Sequence, residues 1–137
     1  MTQPILIHEN QEEIHKSFMR TDFRRWKEEI EIINVEMIFY NNLINAHLKE
    51  LTTWNAADYQ HLFNGIADVQ YCNKLYQKEF QEVSNKLEGI NECDDLHCET
   101  YFLNTHANFK MAIENHFSTY KNFKKKMLSY LRTKYNY

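Results

Sequence analysis

The 137-residue chain has only two glycines, one proline and three cysteines. Against ordinary usage of roughly 7% glycine and 5% proline, so few breakers leave material for few loops. Gly65 and Gly89 stand alone, which excludes a glycine-rich loop cradling phosphate. No serine or cysteine sits in a nucleophile motif. Catalysis by an activated nucleophile or a carboxylate pair therefore lacks support, and neither an enzyme nor a cofactor is expected. No apolar run approaches the ~18 residues of a membrane span, so no transmembrane segment is expected. Cys72, Cys93 and Cys98 are an odd count, and Met1 to Asn10 lacks the basic start and apolar core of a secretion signal. Reduced thiols and a cytoplasmic setting follow as expectations.

What the chain has in abundance is an apolar 3-4 repeat. It runs through Trp26, Ile30, Ile33, Met37 and Ile44; through Leu62, Ile66, Val69, Asn73, Tyr76 and Phe80; and through Phe109, Ile113, His116, Tyr120 and Met127. Such spacing puts each set on one face of a helix and favours knobs-into-holes packing. The expected fold is all-α: an antiparallel up-down bundle of three long helices over about 22–50, 56–88 and 95–133, forming one domain from 21 to 137. Asn55 and Trp54 supply a start signal for the second helix, Gly89 a left-handed stop, and Asp94 or Asp95 a cap for the third. Residues 1–20, with Ile14, Phe18 and Met19 as a small apolar face, form either a short fourth helix or an extension of the first.

Polar residues interrupt the stripes at a few positions. Counting outward from the turns brings Ile33, Asn73 and His116 to one height, so Asn73 and His116 are expected to be a buried hydrogen-bonded pair that fixes register. The same counting sets His47, His106 and His116 several turns apart, too far to share one ion. A ferritin-like or hemerythrin-like metal bundle needs Glu-x-x-His pairs or His followed by Glu on facing helices. Only Glu12 with His15 fits the first pattern, and those motifs are not matched. A metal-binding four-helix bundle using His15, His47, His106 or His116 is therefore an alternative rather than the main reading. Cys93, His97 and Cys98 form a second metal candidate, but the two-residue thiol spacing of zinc sites is missing. A capping turn with incidental thiols is the simpler reading, and Cys72 reads as a small, mostly buried filler.

Charge is unevenly spread. Residues 1–99 carry 18 acidic and 9 basic side chains, and residues 100–137 carry 1 and 7. Lys121, Lys124, Lys125, Lys126, Arg132 and Lys134 surround the stripe of the last helix and form an anion-binding candidate. Lysine stems covering apolar surface near a helix C-terminus explain the same pattern, and the acidic remainder disfavours nucleic acid.

Helix one has more apolar surface than one stripe needs, because Ile32, Val35, Phe39, Leu43 and Ala46 form a second line. Either the N-terminal segment covers that line or a second chain does. The expected function is a non-enzymatic, self-associating helical bundle, a homodimer acting as an interaction or scaffold module for protein partners.

Overall fold

The computed structural model describes residues 3–47 and 56–135, and side chains within 13–46 and 56–133. They form three helices, α1 (Gln3–His47), α2 (Ala56–Leu87) and α3 (Leu96–Tyr135), with a 3-10 helix at Glu88–Glu92 between the last two. Among the described residues there is no strand, and no helix is long and apolar enough to cross a membrane. The expected caps at Trp54 and Asn55 lie outside the described residues, as do positions 48–50 at the end of the first helix.

Direction follows from the contacts. Asn34 meets Gln77 and Asn45 meets Tyr59, while Met19 shares a cluster with Leu87. The α2 partner falls in number as α1 rises, so these helices run antiparallel. Arg25 meets Glu114 and Glu36 meets Lys124, so α1 and α3 run parallel. The stripes supply the core: Trp26, Ile33, Met37, Ile44 and Ile113 are fully buried, joined by Ile66, Phe117, Met127 and Leu131. Burial of each such side chain contributes about 1.5–3 kcal/mol. Large side chains fill the α1–α3 seam, where Trp26 lies against His106 and Phe109.

Of the two expectations for the N-terminal segment, the structure has the extension: residues 3–20 continue α1 without a break. One local feature differs from the sequence expectation. The glycine stop at Gly89 is replaced by the 3-10 helix, which drives Ile90 into the core beside Leu87 and Met19. Burying Ile90 there satisfies the turn without a left-handed residue. Asp95 then caps α3, its Oδ1 accepting from the Cys98 N–H at 2.9 Å.

Candidate functional site

A line of exposed apolar residues lies on α1. Residues 3–20 extend the helix instead of folding back, so among the described residues nothing covers the second apolar line. Ile32, Val35 and Phe39 are 47%, 67% and 58% exposed. Lower on the same helix, Ile14 and Phe18 are 51% and 63% exposed. Leu43 is half-buried and Ala46 exposed, and Leu128 of α3 adds apolar surface beside the upper part of the seam. Isolated exposed apolar residues are ordinary, but a line of them along one helix is a candidate contact surface.

Inside the bundle, Asn73 and His116 are brought together. The Asn73 amide donates to the Ile30 carbonyl at 3.1 Å and to Asn34 Oδ1 at 2.8 Å. Its Oδ1 is thereby left as the acceptor, 2.9 Å from His116 Nε2. That assigns the imidazole hydrogen to Nε2. Tyr76 stacks on the ring at 4.6 Å between centroids, and burial pushes the His116 pKa down. The group is thus held neutral, with polar atoms from three helix positions joined in one network.

His106 occupies a different environment, at the level of Asp22. The Asp22 carboxylate is 3.0 Å from His106 Nε2 and also meets Lys110 and Arg25. Yet the approach to the ring is off the line of a hydrogen bond, leaving Nε2 without an aligned partner. Trp26 stacks on the other side at 5.3 Å. Burial lowers the His106 pKa more than Asp22 raises it. The sequence does not single out Asp22, although it directly precedes Phe23 on the stripe. An acidic residue beside a buried histidine was the available signal.

The metal candidates do not converge. His15 is exposed on α1, His116 is taken by Asn73, and the side chain of His47 lies outside the described ones. Cys93 and Cys98 are joined in a disulfide, so neither is the incidental thiol expected, and His97 is exposed beside them. The Cα atoms of the two cysteines are 5.5 Å apart, a separation made by the bend at 93–95 that leads into α3 and not revealed by linear spacing. Among the described residues no three His, Cys, Asp or Glu side chains could hold one ion. Cys72 is exposed rather than buried, because it points away from the Asn73 face.

On α3, Lys121, Lys125 and Lys126 are exposed. Lys124 pairs with Glu36 and lies over the Tyr120 ring. Burial and the nearby Glu36 carboxylate push the Tyr120 hydroxyl far above its ordinary pKa. Lys121, Lys124, Lys125, Leu128 and Arg132 line a shallow furrow of about 370 Å³. The side chain of Lys134 lies outside the described ones. One lysine of the group thus serves the fold and several face solvent. Family models, curated proteins and solved structures were all compared with the chain, and none matches it.

Proposed function

We propose that this protein is a non-enzymatic helical bundle that self-associates, a homodimer serving as an interaction or scaffold module. The observation that carries the reading is the exposed line Ile32, Val35, Phe39 on an α1 that continues straight through its N-terminal segment. The alternative cover for that line, a folded-back fourth helix, is absent from the described residues, which leaves a second chain as its natural partner. Coiled-coil-like packing between copies suits the 3-4 spacing of the line. The chemistry of the interior supports the same reading, since its histidines serve stacking and hydrogen bonding between helices.

A cytoplasmic setting remains part of the reading from the sequence, and the Cys93–Cys98 pair bears on it. Disulfides persist chiefly in oxidising compartments, so the thiol count of protein isolated from its native setting decides between the two.

The test is sedimentation equilibrium of the wild type, Val35→Glu and Met111→Glu. Met111 is equally exposed but lies off the α1 line. The reading expects a dimer that Val35→Glu dissociates and Met111→Glu leaves intact. Equal effects of the two substitutions would count against it.

A further inference from the structure

We infer that the dimer forms by antiparallel pairing of α1 with α1 of a second copy, in one register centred between Thr21 and Ile32. This inference rests on the self-association reading and adds its geometry. The outer face of α1 carries a second 3-4 series that the N-terminal extension completes: Ile14, Phe18, Thr21, Arg25, Glu28, Ile32, Val35 and Phe39. All eight are exposed. The series drifts slowly around the helix, as a left-handed supercoil requires.

Its chemistry is self-complementary in one orientation. Laid antiparallel, Ile14 faces Phe39 of the second copy, Phe18 faces Val35, Thr21 faces Ile32, and Arg25 faces Glu28. Each pair occurs twice about the two-fold axis, as an isologous interface demands. Apolar residues meet apolar residues at both ends, and opposite charges meet in the middle, where Arg25, which also meets Glu114 and Asp22 of its own chain, comes opposite Glu28. Thr21 fits the apolar company because its hydroxyl is already committed to the Ser17 carbonyl at 3.0 Å.

The parallel in-register pairing does the reverse. It sets Arg25 on Arg25 and Glu28 on Glu28, and like charges so placed repel. The second α1 would lie beside α3, on the side of α1 where Arg25 and Glu36 meet Glu114 and Lys124.

The register is tested by engineered cross-linking in a Cys72→Ser background. Phe18→Cys and Val35→Cys are introduced singly and together, with circular dichroism confirming unchanged helix content at these exposed positions. Within one helix these positions are 17 residues apart, roughly 26 Å, beyond the reach of a disulfide. In the proposed register, copies carrying both cysteines are captured as covalent dimers on mild oxidation, and neither single variant is. Capture of Val35→Cys alone would overturn the inference in favour of parallel pairing. A dimer that sediments normally but resists capture in the double variant would overturn the register while leaving self-association standing. A chain that is monomeric throughout would remove both. As an independent readout, Glu28→Arg sets arginine against arginine across the axis and is expected to weaken dimerisation about tenfold; an unchanged dissociation constant would contradict the pairing.

Discussion

Asn73 Oδ1 lies 2.9 Å from His116 Nε2 in the middle of the bundle, and each side chain is the remedy for the other. Without Asn73 the buried imidazole N–H has no acceptor, and without His116 the Asn73 oxygen has no donor. An unsatisfied buried group costs roughly 1–3 kcal/mol. Asn73→Leu is therefore expected to lower stability by about that amount. Adding His116→Phe is expected to recover part of the loss, because both polar partners are then gone. A urea double-mutant cycle measures this, and strictly additive losses would show that the two residues do not act as a pair.

The same network sets a pH dependence. Burial depresses the His116 pKa in the folded state, so its contribution is full above the unfolded value of about 6.5 and is lost as pH falls below it. His106 is depressed for the same leading reason and adds to the effect. Urea midpoints should fall between pH 7.5 and 5.5. In His116→Gln, which keeps a donor but cannot titrate, the fall should be smaller; an equal fall would assign the dependence elsewhere.

Gly65 is a packing residue rather than a hinge. A Cβ at this position would overlap the Phe123 ring. Alanine gains about 1 kcal/mol of helix propensity, but crowding in a packed site costs typically 1–3 kcal/mol. Gly65→Ala is expected to be net destabilising by thermal denaturation, and Gly65→Ala in a Phe123→Leu background is expected to lose that penalty.

The Cys93–Cys98 bridge closes a short loop at the α2–α3 turn. For so short a loop the chain-entropy estimate is about 2 kcal/mol. Replacing both cysteines by serine should lower stability by roughly that amount under oxidising conditions. In excess dithiothreitol the variant and the parent should melt together. A persistent gap would mean that the serines, and not the lost bridge, are responsible.

Much of this architecture is legible in the residues themselves. The 3-4 series named Trp26, Ile33, Met37, Ile66 and Ile113, and those side chains are buried, because helix periodicity alone decides which face turns inward. Counting from the turns was enough to set Asn73 beside His116, since rise per residue is constant along a helix. What periodicity does not carry is local three-dimensional closure. The bridge between Cys93 and Cys98 depends on the bend that joins the 3-10 helix to α3, and the exposure of Cys72 on one helical step of rotation. Asp22 is hard to read for another reason: its partners His106 and Lys110 are more than eighty residues away.

The most direct measurement is native mass spectrometry of the untagged protein across a concentration series. The expected result is a dimer of two 16.7 kDa chains that separates on dilution and yields monomer when Val35 is replaced by glutamate. A wild-type chain that stays monomeric at every concentration would contradict self-association and with it the proposed role of the α1 face.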